Sequence, residues 1–207
     1  MIEIKNVTKK LDNNIILDDI NLKFADGNIY GLVGRNGSGK SMLLKTICGF
    51  IAPDEGKVIV NNVDLYKTGA FPNSIAALIE RPEYLPDLNA YENLKLIASI
   101  KKIISDDDIY KILRFVELDP KKPFKKYSLG MRQKLGIAEV LMENPNIMIL
   151  DEPFNGLEDE TAQKIRMYLI EKKKEGKLII VATHLKEDIK ELCDEIITIK
   201  LGKVINE

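Results

Sequence analysis

Gly34-Arg35-Asn36-Gly37-Ser38-Gly39-Lys40-Ser41 is the stretch that decides how this chain is read. It fits G-x-x-x-x-G-K-[ST], and it stands between the apolar run Ile29-Tyr30-Gly31-Leu32-Val33 and a helical pattern from about Ser41 to Gly49. Strand, glycine loop and helix in that order make a phosphate cradle. Glycines let successive amide N–H groups turn inward, the helix N-terminus adds partial positive charge, and Lys40 adds a full one. Ser41 offers a hydroxyl oxygen to Mg2+, a hard cation that prefers oxygen ligands. The expected nucleotide-binding set is Gly34, Arg35, Asn36, Gly37, Ser38, Gly39, Lys40, Ser41 and Met42.

Outward from the loop, short strands are expected at Ile2–Val7 and Ile20–Phe24, divided by polar turns such as Asp12-Asn13-Asn14. Buried strands return at Ile147-Met148-Ile149-Leu150 and at Leu178–Ala182, with a helix carrying Ile165, Tyr168 and Leu169 between them. Strands alternating with helices mean a parallel α/β sheet. Three helical patterns interrupt it: one from Ala90, one behind Ser105 as N-cap, and one from Gly130 to Glu143. They read as an insertion, so residues 1–79 and 146–207 are expected to form the core and 80–145 an inserted helical subdomain.

The 207 residues carry 31 basic and 32 acidic side chains, interspersed, which argues against a nucleic-acid partner. A hydrophobic share of 45% with 30% charge is that of an ordinary globular chain. No apolar stretch approaches the roughly 20 residues that cross a bilayer. The charged start, Met1-Ile2-Glu3-Ile4-Lys5, has no signal-peptide core, so a cytoplasmic chain that borrows any membrane role from a partner is expected. Cys48 and Cys193 each sit in an apolar helical pattern and are expected to be buried, reduced thiols.

Two acids close the buried strand at Asp151-Glu152, and ligands of such sheets sit at strand C-termini. Asp151 suits the Mg2+ shell, and Glu152 can polarise a water that attacks a γ-phosphate. Tyr127-Ser128-Leu129-Gly130-Met131-Arg132-Gln133 follows the helical block, just upstream of that strand. Read alone, Ser128 is an N-cap. In this order of motifs the chain resembles the ABC ATPase family along nearly its whole length, with this heptad where that family has Leu-Ser-Gly-Gly-Gln. The resemblance implies a P-loop NTPase core of RecA-like type, an antiparallel β subdomain and an inserted α-helical subdomain. It also implies that Ser128, Gly130 and Met131 act on the ATP of a second subunit, in a homodimer or heterodimer. His184, the single histidine, stands where the family has a switch residue that contacts the γ-phosphate. Glu152, His184 and Lys40 are the expected catalytic residues, Ser41 and Asp151 the Mg2+ ligands. The implied activity is ATP hydrolysis driving transport through a separate integral membrane permease, with the chain peripheral on the inner face of the cell membrane.

Several positions depart from the family pattern. Glu80, in Ala77-Leu78-Ile79-Glu80-Arg81-Pro82, replaces a glutamine at the junction to the helical block and is expected to sense the γ-phosphate or Mg2+. With the Pro82–Leu88 stretch it resembles the bacitracin-resistance and lantibiotic-immunity branch of exporters. Leu129 and Met131 replace a glycine and a glutamine, and Glu158 stands for an aspartate that bridges the dimer. A soluble ABC ATPase that remodels a macromolecular machine is the alternative, although the tandem domains or basic extensions of such relatives are not seen. Leu11 occupies the position where most relatives stack an aromatic ring on adenine, a contact worth roughly 1 to 3 kcal/mol in other base-binding sites. GTP is therefore expected to compete with ATP more effectively here than in aromatic-bearing relatives, and a competition binding assay showing equal rejection of GTP contradicts this.

Overall fold

The computed structural model describes residues 1–69, 71–72 and 74–205; Ala70, Asn73, Asn206 and Glu207, which the expected core spans include, lie outside the described residues. The chain builds β1 (Ile2–Leu11), β2 (Asn14–Phe24), β3 (Ile29–Val33), α1 (Lys40–Ile47), β4 (Glu55–Val60), β5 (Val63–Asp64), the one-turn α2 (Leu65–Thr68) and β6 (Ile75–Leu78). Then come α3 (Ala90–Lys101), α4 (Asp106–Phe115), a 3-10 turn at Phe124–Lys126 and α5 (Leu129–Met142). The last stretch is β7 (Ile147–Asp151), α6 (Asp159–Lys174), β8 (Leu178–Ala182), α7 (Lys186–Leu192), β9 (Glu195–Lys200) and β10 (Lys203–Ile205).

Every residue of β7 and β8 is buried, as in strands covered on both faces. They lie in a sheet of order β10-β9-β3-β8-β7-β6, parallel except for β10 at its edge. Alternate side chains serve two cores. Met148, Leu150, Ile179 and Val181 pack with Leu94, Leu113 and Leu135 of the helices between β6 and β7. Ile147, Ile149, Leu178 and Ile180 pack with Leu43, Leu44 and Ile47 of α1 and with Ile2, Phe24 and Val58 of a second, antiparallel sheet, β2-β1-β4-β5. The parallel sheet is thus the middle layer, and its strand ends meet the loops that carry the chemistry-bearing residues.

Local signals place the helices. Asn89 and Glu92 form a capping box at α3, and Ser105 and Asp108 form one at α4. Some expectations need correction. The second strand begins at Asn14, not Ile20, because register shifts along β1–β2 and the positive φ of Asp19 hide the alternation. Cys193 is not helical: it follows α7 in extended backbone and is only partly buried, although that burial still pushes its thiol up to about 11. Cys48 is buried as expected, its thiol pushed up to about 12.

Behind β8 a buried charge pair ties three elements together. Arg166 of α6 donates from Nε and Nη2 to Asp188 Oδ1 of α7 at 2.9 and 2.7 Å, and Thr183 Oγ1 donates to Asp188 Oδ2 at 2.7 Å. Asp188 is fully inaccessible and Arg166 nearly so, and the guanidinium also lies 4.9 Å over the Phe154 ring. Removing one partner of a buried pair strands the other charge. Asp188→Ala is expected to lower the unfolding free energy by about 3 kcal/mol, the low end for such a loss because Glu187 and Gln163 remain beside the guanidinium. Urea unfolding measures this, and an effect within a few tenths of a kcal/mol contradicts it.

Candidate nucleotide-binding site

The loop from Gly34 to Gly39 leaves β3 and enters α1 through backbone that side chains rarely tolerate. Gly39, the N-cap, has φ 112°, and a Cβ there would lie 2.9 Å from Ile16 O. A Cβ on Gly34 would lie 2.3 Å from Ile199 O. Among the described residues no side chain caps α1, and no acid sits in its first turn, so its leading amides retain their capacity for an anion. Lys40 is buried, and its Nζ donates to Gly34 O at 2.8 Å and Arg35 O at 3.4 Å, which holds the ammonium over the loop. Ser38 Oγ is buried and has no hydrogen-bond partner among the described residues.

Opposite the loop, strand ends supply carboxylates. Ser41 Oγ donates to Asp151 Oδ2 at 2.7 Å. Burial raises the Asp151 carboxyl above its ordinary value, the Ser41 hydrogen bond and the Lys40 charge counter that, and the charges of Glu152 and Glu80 push it up. A desolvated carboxylate with a hydroxyl beside it is a hard-oxygen donor set, and Mg2+ fits such a set. Glu152 follows at φ 49°, an unusual conformation for a non-glycine residue. It is held from several sides: its N–H donates to Ala182 O at 2.8 Å, and its Oε2 lies 2.8 Å from His184 Nδ1. The Gln133 amide donates to the carbonyls of Glu152 and Pro153 at 3.1 and 3.0 Å. His184 itself follows Thr183, whose hydroxyl Asp188 fixes.

A cleft of about 470 Å³ is lined by Asn36, Gly37, Gly39, Lys40, Ser41 and Met42 from the loop and α1, and by Glu80, Asp151 and Glu152 across from them. Two further lining residues, Ile16 and Lys45, were not singled out from the sequence. Lys45 lies four residues beyond Ser41, one helical turn along α1, which is the signal that could have found it. Glu80 stands two residues past β6 with φ 62°, its Oε1 2.5 Å from Lys45 Nζ. Gly34, Arg35 and Ser38 belong to the loop without lining the cleft. Leu11 does not line it either: it ends β1 opposite Asn14 at the hairpin tip, exposed to 45%.

Ser128, Gly130 and Met131 form the first turn of α5, outside the cleft lining. Ser128 Oγ accepts the Met131 N–H at 3.3 Å, so the N-cap reading holds. A Cβ on Gly130 would fall 2.3 Å from Gly156 O, so this turn packs backbone to backbone against the segment after Glu152. Glu158, two residues on, is paired with Lys134 of α5 at 2.9 Å.

The family described as ABC transporter matches residues 17–155. The chain is 42% identical to an uncharacterized ABC transporter ATP-binding protein, YybJ, of Bacillus subtilis (strain 168), over 99% of this chain and 94% of that protein. It is 34% identical to the lantibiotic transport ATP-binding protein SrtF of Streptococcus pyogenes, covering 90% of it, and 34% identical to the bacitracin transport ATP-binding protein BcrA of Enterococcus faecalis, covering 68% of it. The dimeric ATP-binding cassette MJ0796 in a post-hydrolysis state with ADP and Pi superimposes with a TM-score of 0.86, at 29% identity over 100% of this chain and 97% of that one. Phosphate loop, acidic strand end and paired histidine together agree with these likenesses: the chain belongs to the ABC transporter family, as one of its ATP-hydrolysing subunits.

Proposed function

We propose that this chain binds Mg-ATP between its phosphate loop and the Asp151 strand end, hydrolyses it with Glu152, and drives export of antimicrobial peptides or related compounds through a separate permease. The observation that carries the site reading is the facing of Lys40 and Ser41 by Asp151 and Glu152 across one cleft. Lys40 and the loop amides hold the β and γ phosphates. Ser41 and Asp151 hold Mg2+, which supplies Lewis-acid neutralisation of developing phosphate charge. Glu152 takes up hydrogen-bonding to the attacking water, His184, 2.8 Å from Glu152, orients that carboxylate while contacting the γ-phosphate, and Glu80 senses the state of the γ-phosphate and Mg2+ from across the cleft. The export substrate class rests on the likeness to SrtF and BcrA.

Ser128, Gly130 and Met131 stand outside their own cleft, which supports their serving the nucleotide of a second subunit, with two chains closing on two nucleotides. Leu11 then flanks the base. Residues 80–145 form the unit that moves against the core on closure. Among the described residues no helix is long and apolar enough to cross a membrane, and in this reading the path belongs to a permease. Its docking surface is the groove of about 330 Å³ between core and helical block, where Phe50, Phe71 and Ile100 are 62%, 71% and 79% exposed. The subunit is then peripheral, on the inner face of the membrane.

Replacing Glu152 by Gln keeps the shape but removes the carboxylate, so turnover is expected to fall roughly 100-fold while an ATP-dependent dimer accumulates on size-exclusion chromatography. Unchanged turnover in this variant removes Glu152 from its role. Phe50→Asp combined with Ile100→Asp is expected to release the chain from the membrane fraction of permease-expressing cells with ATP affinity preserved; retained membrane association shows that the groove is not the docking surface.

A further inference from the structure

Three carboxylates, Glu80, Asp151 and Glu152, line the cleft proposed to take a triphosphate. Such a cleft repels its own ligand unless cations offset them. Lys40 supplies one such cation from the loop side, where its Nζ also donates to two loop carbonyls. Among the described residues lining the cleft, Lys45 is the other cationic group, and its Nζ lies 2.5 Å from Glu80 Oε1. The pair joins α1 to the segment just past β6, two elements separated by 35 positions in sequence. Glu80 stands just past β6 with φ 62°, on the same cleft wall as Asp151 and Glu152. With side chains 27% and 59% exposed, Lys45 and Glu80 are accessible enough to exchange partners when a nucleotide arrives.

We propose that Lys45 is a further nucleotide-site residue: its ammonium is the counter-charge that makes a carboxylate at position 80 compatible with a bound triphosphate. The inference rests on the Mg-ATP reading of the cleft. Without Lys45, Glu80 opposes the phosphates directly. With both groups neutral, the repulsion and its remedy vanish together. The pair is therefore a positioning device whose signature is non-additivity, not simple loss.

The test is a double-mutant cycle on the full chain, with ATP affinity measured by direct titration, once with Mg2+ and once with EDTA so that metal ligation by Glu80 does not enter. Lys45→Met is expected to weaken ATP binding about ten-fold, from loss of one attraction and exposure of one repulsion; Lys45→Met with Glu80→Gln recovers about five-fold of it, the scale of a partly exposed charge pair. Lys45→Arg keeps near wild-type affinity. Ligand-free melting temperatures establish that each variant is folded, and Lys45→Gln replaces Lys45→Met in the cycle should the latter fail to fold. Equal loss from the Lys45 substitution with and without Glu80→Gln overturns the inference, as does unchanged affinity. Wild-type chain that binds no ATP overturns the Mg-ATP reading itself, whereas wild-type binding with additive variants removes only the role of Lys45.

Discussion

The hydrogen bond from Ser41 Oγ to Asp151 Oδ2 joins residues 110 positions apart, and the rest of the site is arranged around it. Asp151 is buried at the end of a strand whose every residue is buried, a costly place for a carboxylate without partners. The fold accepts it because β7 and α1 lie against each other, both feeding the same hydrophobic cluster, so the first turn of α1 meets the end of β7. A shift of either element separates the hydroxyl from the acid and opens the cleft between them. The two-sided burial of the parallel sheet thus holds the site in register, and the antiparallel sheet contributes by covering α1.

Glu152 adds a second constraint. Its φ of 49° is tolerated because its N–H is tied to Ala182, its carbonyl to Gln133 and its side chain to His184. Those tethers come from β8, α5 and the loop before α7, and the last is itself secured by the Arg166–Asp188–Thr183 network. A residue so over-determined is oriented before any substrate arrives, the condition under which a carboxylate acts on a water without reorganising first.

Much of this was legible in the sequence because the decisive signals are local. The glycine loop between strand and helix, the acids closing an apolar strand, and the capped helix at Ser128 each sit within eight or so adjacent residues. What escaped is what folding alone creates. Lys45 meets Glu80, Gln133 meets Glu152, and Arg166 meets Asp188 across 35, 19 and 22 positions, and nothing in their local context points at the partner. Strands β4, β9 and β10 went unread because their burial is mixed, without the uniform apolar run of β7 and β8. The placement of Leu11 depends on the β1–β2 hairpin tip, whose irregular register gives no sequence pattern to follow.

Helix α5 has 14 residues, a rod of about 21 Å at the usual rise per residue. Near its first turn Gln133 grips the backbone of Glu152, and near its last turn Val140 and Met142 form part of the wall of the apolar groove. Between them Gly136 leaves so little room that a methyl group there would meet Leu78 and Pro82, on either side of Glu80. One stiff rod therefore touches the Glu152 backbone, the segment around Glu80 and the groove. The groove wall and the backbone that carries Glu152 are thus joined through one continuous helix as well as through the sheet.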